Sequence, residues 1–240
     1  MKHGKKMSDV KVALVFENDP FSLDVRAGLV EMAKKFGMHV VIDDKMPRDL
    51  NDISSTLTKV KALKPDVLLA SGHSKGAATL ARQVKEMKIN VPMIAVTHCE
   101  AAKIVEKFGA ATNGFLCPTQ WAETLKYKGK YFGSAGDYNK LFLQTYSSYH
   151  TVPYQAAQAT AAILVFKDAI ERANSLDPQK VRDALAKTDL QTFYGEVKFS
   201  PEGKNVKKEM VLRQIQNGHY NVVAPPAFAA AKLEWPRKAM

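Results

Sequence analysis

Cysteine is scarce in this chain: Cys99 and Cys117 are the only two among 240 residues. They form no C-x-x-C pair, and two sulfur ligands are too few for a structural zinc site. Cys117 lies in a strand-like segment, where we expect it to be a small, buried, apolar residue. Two cysteines do not indicate whether the protein is in a reducing or an oxidising compartment. The histidines lack metal-ligand spacing as well, so the sequence predicts neither a metal nor a cofactor.

Long apolar runs are absent too, and no segment is long enough to span a bilayer. The basic start, residues 1–7, has no apolar core region, so we expect no secretory signal within this chain unless one has been removed. The net charge of +11 invites a nucleic-acid interpretation. However, lysines alternate with acidic residues as on solvated helix faces, and no aromatic-basic RNA-binding signature is present. The excess positive charge instead favours solubility or the attraction of anionic ligands.

The most informative stretch is residues 66–80. An apolar run of strand length, residues 67–70, breaks at Gly72 and gives way to a helix-period pattern that begins near Leu80. A buried strand, a tight turn and a helix form the repeating unit of a parallel α/β sheet. Because ligands of such sheets bind outside the carboxyl ends of the strands, we expect His73 and Ser74 to face a ligand.

The same alternation runs through the first half of the chain. It predicts the fold class α/β, with a right-handed, doubly wound parallel sheet of the Rossmann-like type and helices between its strands. The five expected strands lie near residues 10–16, 38–42, 67–70, 93–97 and 114–117.

Beyond residue 118 the pattern changes. Residues 127–136 are polar and contain glycine, which suits a crossing between units. Three helices then follow without strands, and they indicate a second structural unit. The chain returns to β structure in a hairpin around Asn217-Gly218, a strong two-residue turn signal. The Ala-rich tail after Pro226 is weakly patterned, and no structure is predicted for it.

Six local strings, in the same order along the chain, resemble one family. This family is the type I periplasmic binding proteins of the branched-chain amino-acid (leucine/isoleucine/valine-type) ABC transporter branch. The resembling strings are residues 12–21, 60–69, 118–121, 152–157, 192–199 and 214–220.

The resemblance implies two lobes joined by crossing strands, with a ligand held in the cleft between them. Residues 10–118 plus 196–224 would form the α/β ligand-binding lobe, residues 122–191 the helical part of the other lobe, and residues 225–240 a tail. The family normally has several β-α units before the equivalent of Val10, so the chain resembles a member that is truncated at its N-terminus. The helices of the incomplete lobe would then expose an apolar face, which predicts a homo-oligomer or a partner that covers it.

Four residues match positions at which family members contact their ligand: Phe21, His73, Thr97 and Tyr154. Phe21 and His73 stand where tyrosines are common, and Tyr154 keeps the usual aromatic residue. Thr97 replaces a carboxylate that would hold an α-ammonium group, so the site lacks a charge-assisted anchor. The resemblance therefore implies either an amino acid or another small organic acid or amide as ligand.

Three further residues are candidates for ligand contact. Ser22 lies in the first turn of a helix, where free backbone N–H groups favour an anion, although it could equally cap that helix. Ser74 follows His73 in the same turn. Trp121 would be either a stacking wall for the ligand or a residue that packs the hinge, and the hinge is favoured.

A second function competes for the same turn. Residues 72–76 fit the G-x-S-x-G nucleophile elbow, and Asp189 and His219 follow Ser74 in the order that a serine hydrolase of α/β type requires. However, His219 lies in a hairpin turn, and no oxyanion segment precedes the third strand. We therefore expect a periplasmic solute-binding protein without catalysis that works with a membrane permease, with two alternatives: the hydrolase, or a remnant that binds nothing.

Overall fold

A computed structural model describes residues 5–48 and 51–237. The chain divides into two compact units. The first unit comprises Met1–Pro118 and Leu212–Met240, and the second comprises Thr119–Val211. Residues 196–211, which the resemblance places with the α/β lobe, lie in the second unit, and the tail lies in the first.

The first unit is built from alternating strands and helices, as the sequence predicts. Its elements up to residue 119 are β1 (Lys11–Glu17), α1 (Pro20–Lys35), β2 (His39–Met46), α2 (Ser54–Leu63), β3 (Val67–Ser71), α3 (Ser74–Glu86), β4 (Met93–Val96), α4 (Ile104–Phe108) and β5 (Leu116–Thr119).

The second unit contains two short hairpins and three helices. Its elements are β6 (Lys128–Gly129), β7 (Gly133–Ser134), α5 (Ala135–Thr145), α6 (Tyr154–Ala173), α7 (Pro178–Ala186), β8 (Asp189–Thr192) and β9 (Gly195–Lys198). The chain then returns to the first unit through β10 (Val211–Gln216) and β11 (His219–Ala224), which pair antiparallel around the predicted Asn217-Gly218 turn.

The doubly wound sheet is confirmed. Seven strands lie in the order β11-β10-β5-β4-β3-β1-β2, and the pairs from β2 through β5 are parallel. The strand order reverses between β1 and β3, because β2 lies on one side of β1 whereas β3, β4 and β5 follow on the other. This reversal is the topological switch point, where ligands of open α/β sheets bind beyond the carboxyl ends of the strands.

Helices cover both faces of this sheet, which explains why its strands are apolar without alternation. On one face, Val12, Leu14 and Phe16 of β1 pack against α1. On the other face, Ala13 and Val15 belong to the main core, together with residues of α2, α3 and α4. The switch point therefore stands on a strand that is fixed from both sides.

The core of the second unit is aromatic. Trp121 is fully buried and donates its indole N–H to the Phe193 carbonyl oxygen at 3.3 Å. The Tyr138 and Phe193 rings stack with their centroids 4.0 Å apart, and Trp121 meets Tyr138 edge to face at 5.8 Å. Such pairs stabilise a small core beyond the area that they bury.

The sequence assigns no structure to the tail, but its described part, up to residue 237, makes specific contacts with the first unit. Arg237 is buried and donates to the backbone carbonyls of Ile89 and Val91 at 2.7 and 3.0 Å. The side chain of Gln214 donates to the Glu234 carbonyl at 2.9 Å. These bonds join the tail to residues far away in sequence, so no local pattern in the tail could reveal them.

Cys99 and Cys117 form a disulfide that joins the segment after β4 to β5. Both cysteines are fully buried, as expected for Cys117, but they are bonded to each other rather than free. The bond lies at the carboxyl end of the sheet, and β4, after which Cys99 lies, is the neighbour of β3 at the switch point. Among the described residues, none of the helices is both long and apolar enough to cross a membrane.

Candidate functional site

The switch point gathers side chains from the ends of β1 and β3. Glu17 is the last residue of β1, and Phe21 lies in the first turn of α1. Gly72 and His73 connect β3 to α3. A Cβ atom on Gly72 would lie 2.6 Å from Oε1 of Glu17, so a glycine here makes room for the buried carboxylate.

Three rings surround the exposed part of this edge. The centroids of Phe21 and His73 are 6.0 Å apart, those of Phe21 and His98 are 5.4 Å apart, and those of the two histidines are 5.6 Å apart. The Phe21 side chain is 41 % exposed, so its ring is open to a ligand. The three rings offer an apolar, flat contact surface at the place where the fold puts a ligand.

His98 is held as a neutral ring. Its Nδ1 atom donates to the Gly72 carbonyl oxygen at 2.8 Å, because a carbonyl can only accept. Burial lowers the pKa of His98, and the neighbouring His73 acts in the same direction. The ring therefore contributes a polar edge without charge at neutral pH.

Asp19 supplies a buried negative charge beneath the rings. It caps α1 by accepting from the Ser22 backbone N–H at 3.2 Å, and its Oδ1 lies 3.6 Å from Nε2 of His73. Burial alone would raise the pKa of Asp19, but hydrogen bonds from Ser22 and the nearby His73 hold it below its ordinary value of 3.8. The carboxylate is therefore ionised at neutral pH.

Thr97 is used internally. Its hydroxyl donates to the Gly72 carbonyl oxygen at 2.7 Å and accepts from the Gly72 N–H at 3.0 Å. Only 9 % of the residue is exposed. Thr97 therefore fixes the turn that carries His73, and its hydroxyl presents little surface to a ligand.

The remaining candidates divide by exposure. Ser22 and Trp121 have no exposed surface, so in this structure Ser22 packs in the first turn of α1 and Trp121 packs in the aromatic core. Ser74 begins α3 beside His73 and is half-buried. Tyr154 begins α6 in the second unit and is also half-buried. Ligand contact stays a prediction for all seven candidates: Phe21, Ser22, His73, Ser74, Thr97, Trp121 and Tyr154.

The hydrolase triad is not assembled in the described part of the chain. No hydrogen bond joins Ser74 to an imidazole among residues 5–48 and 51–237. Asp189 is instead paired with Lys198 and Lys207 at 2.9 and 3.2 Å. His219 is an exposed residue at the start of β11. A nucleophile needs a base within hydrogen-bond reach, and in the described part of the chain Ser74 is not bonded to one.

The second unit contains a cavity of 760 Å³ beside a half-buried lysine. Nζ of Lys208 lies 4.4 Å from the ring centroid of Tyr194 and donates to the Gln120 carbonyl oxygen. Burial lowers the pKa of Lys208 from 10.5 to about 8. Apolar residues of α6, among them Ala161 and Val165, line the cavity as well.

The sequence missed part of the site at the switch point. Glu17, Asp19 and His98 were not candidates, although each follows an expected strand directly or within a few residues. The signal that could have found them is that position alone, because polar residues at the carboxyl ends of adjacent parallel strands meet at one edge.

This fold and this site define the class of protein. A doubly wound sheet that carries exposed rings and a buried charge at its switch point, without an assembled nucleophile, is typical of an α/β ligand-binding lobe. The family model of the periplasmic binding proteins matches residues 1–219. The chain therefore belongs to the periplasmic binding protein family, which confirms the resemblance.

Curated relatives are distant and longer. A Leu/Ile/Val-binding protein homolog 7 of Brucella abortus is 24 % identical over 257 residues, which cover 98 % of this chain and 60 % of that protein. Homolog 8 of the same species is 20 % identical over 97 % of this chain and 59 % of its own length. The chain thus spans about 60 % of the length of these relatives.

Solved structures share the fold. A leucine-binding protein from Thermotoga maritima superposes with a TM-score of 0.77 at 20 % identity, over 92 % of this chain and 61 % of the other. A solute-binding protein of an ABC transporter from R. palustris, in complex with benzoate, gives a TM-score of 0.74 at 18 % identity, over 95 % of this chain and 61 % of the other. At these identities the likeness establishes the fold alone.

The family sets the broad frame for function. Its members are extracytoplasmic proteins that bind small molecules rather than convert them, and they work with ABC transporter permeases.

Proposed function

We propose that this chain contains the ligand-binding lobe of an extracytoplasmic solute-binding protein that works with an ABC transporter. The protein would bind a small organic molecule without converting it. The observation that carries the proposal is the group of rings at the switch point, Phe21, His73 and His98, supported on a rigid sheet. Membership of the family supports both binding without conversion and the transporter partner.

The ligand that we propose is an amino acid or another small organic acid or amide. Two relatives illustrate this range, since one solved structure holds isoleucine and another holds benzoate. Thr97 stands where a carboxylate would hold an α-ammonium group, and its hydroxyl is occupied by Gly72. The exposed rings favour a ligand with a flat or apolar portion that can lie against Phe21 and His73.

Thermal unfolding with defined probes tests this proposal. We expect leucine, isoleucine, valine or benzoate to raise Tm by about 5–10 °C at a hundredfold excess over Kd, because ligand that binds only the folded state stabilises it by about 2.7 kcal/mol. His73→Ala and Phe21→Ala should each reduce the shift, because both rings face the edge at which the ligand is proposed to bind. His39→Ala removes an exposed histidine of β2 and serves as the control. If no probe shifts Tm, or if His73→Ala retains the full shift, ligand binding at this edge is contradicted.

A serine-directed fluorophosphonate probe tests the absence of catalysis. We expect no labelling of Ser74, because its hydroxyl makes no hydrogen bond to a histidine among the residues that the structure describes. The measurement is intact-mass spectrometry of the wild type and Ser74→Ala after exposure to the probe. A single adduct that Ser74→Ala abolishes would favour the hydrolase instead.

We also propose that the second unit buries its apolar helix face against a second copy of the chain. Leu141 of α5 and Ile163 and Phe166 of α6 are 48 %, 68 % and 50 % exposed. A large exposed apolar face is uncommon on a monomer. Light scattering at micromolar concentration should give at least the mass of a dimer. The double variant Ile163→Glu with Phe166→Glu should shift this mass towards that of the monomer. Leu176→Glu, which changes an exposed leucine outside these helices, is the control and should leave the mass unchanged. A monodisperse wild-type monomer would contradict this proposal.

A periplasmic location is the finer expectation from the family. The Cys99–Cys117 disulfide supports it, because disulfides persist in oxidising compartments such as the bacterial periplasm and are rare in the cytosol.

A further inference from the structure

We propose that Glu17, Asp19 and His73 bind one divalent transition-metal cation, with Zn²⁺ as the reference ion. The sequence predicts no metal because these residues form no short motif. The fold assembles them: Glu17 and Asp19 follow β1, His73 follows β3, and β1 and β3 are neighbours at the switch point. The site is independent of the identity of any organic ligand.

The geometry of the three side chains fits a single ion. One potential ligand atom from each residue lies within 4.8 Å of the others. Nε2 of His73 is 3.6 Å from Oδ1 of Asp19. Small rotations of these side chains bring such atoms to the distances of about 2 Å that zinc requires from nitrogen and oxygen ligands.

Burial separates this set from an ordinary acidic surface cluster. Glu17 and Asp19 are 1 % and 5 % exposed, whereas the His73 side chain is 47 % exposed. Two buried carboxylates near each other repel, and a bound cation stabilises such a pair. The exposed imidazole leaves a path by which an ion can enter.

A second observation concerns polar atoms next to the set. Within the described residues, Oδ2 of Asp19 and the Ser71 hydroxyl are buried without a hydrogen-bond partner. Ser71 is 6 % exposed and lines, with Glu17 and Gly72, a small cavity of 10 Å³. That volume is about the space of one water molecule. A water molecule bound to the cation would fit this space and satisfy the hydroxyl.

The donor set indicates the class of metal. One imidazole nitrogen and two carboxylates suit Zn²⁺ and similar first-row cations better than Mg²⁺, which prefers oxygen ligands alone and retains most of its water. Three protein ligands also leave a coordination position for water or a small anion, as in zinc sites with exchangeable ligands.

Isothermal titration of the full, untagged chain with ZnCl₂ after removal of metals tests the proposal. We expect one Zn²⁺ per chain, with Mg²⁺ binding much more weakly, and a rise in Tm that EDTA reverses. His73→Ala should weaken binding by about tenfold or more. Asp19→Asn should do the same while keeping the helix cap, because asparagine caps a helix as well as aspartate does.

His39→Ala is the matched control, since it removes an exposed histidine outside the set, and it should leave the affinity within about twofold. Urea unfolding of each variant in EDTA shows whether it folds. If Asp19→Asn does not fold, His73→Ala still tests the proposal, because the His73 side chain is 47 % exposed and its loss should not disturb the fold. Absence of Zn²⁺ binding in molar excess, or binding that His73→Ala leaves unchanged, would overturn the proposal.

Discussion

Replacing Glu100 by glutamine is expected to destabilise the first unit by about 3–5 kcal/mol. Glu100 accepts from the Arg213 guanidinium, and the two side chains are only 2 % and 1 % exposed. Arg213 also lies against the Tyr220 ring, with its Cζ atom 5.2 Å from the centroid. The substitution keeps the shape of the side chain but leaves a buried positive charge without its counter-charge. Urea unfolding followed by circular dichroism measures the loss.

Two comparisons separate the charge from the packing. Asp183→Asn removes a partner of the exposed pair Arg182–Asp183 and should cost about 1 kcal/mol or less. Adding Arg213→Met to Glu100→Gln should recover part of the loss, because replacing both partners of a buried pair by an uncharged combination removes the isolated charge. If Glu100→Gln is as stable as the wild type, this pair does not stabilise the fold.

Removal of the disulfide is expected to cost about 3 kcal/mol. The bond closes a loop with a sequence separation of 18 residues, and it ties the segment after β4 to β5 at the carboxyl end of the sheet. Without it, the unfolded chain gains conformational freedom while the folded state changes little. Urea unfolding of Cys99→Ala with Cys117→Ala, compared with the wild type, measures the effect.

Reduction of the wild-type protein is the matched test. A reducing agent should lower the unfolding midpoint of the wild type to near that of the double variant and leave the double variant unchanged. Equal midpoints for the oxidised and reduced wild type would show that the bond does not contribute to stability.

The first half of the fold could be predicted from the sequence because its signals are local. Each strand from β1 to β5 is a short apolar run next to a turn residue, and each strand lies within a few residues of its expected place. The Asn217-Gly218 dipeptide likewise predicts the hairpin that β10 and β11 form. Periodicity and turn chemistry act over a few residues, so they survive in the sequence without knowledge of the fold.

What could not be predicted depends on contacts between distant segments. The pairing of Cys99 with Cys117 and the contacts of the tail both fall in this group. A cysteine in a strand looks the same whether it is free or bonded. An Ala-rich tail gives no sign that Arg237 will reach the carbonyls of Ile89 and Val91.

The candidate site shows both outcomes together. His73 is expected at this edge because it follows an evident strand, and the family resemblance points to Phe21; the structure brings the two rings within 6.0 Å, and their contact with a ligand stays a prediction. Thr97 is expected at the ligand, and the structure adds that its hydroxyl is bonded to Gly72, which only the three-dimensional turn could reveal. Asp19 was hidden for a similar reason, since a residue that caps a helix looks purely structural until β3 brings His73 beside it.

The anchored arginine at the end of the chain constrains how this sequence can diverge. Any side chain at Gly114 would begin 2.4 Å from Cβ of Arg237, and Gly114 also adopts a φ of +81°. The guanidinium of Arg237 lies over the Phe115 ring, and a larger residue at position 114 would displace the arginine from this position. Orthologues should therefore inherit the glycine and the arginine as a linked pair, and those that lose one are expected to have remodelled the other.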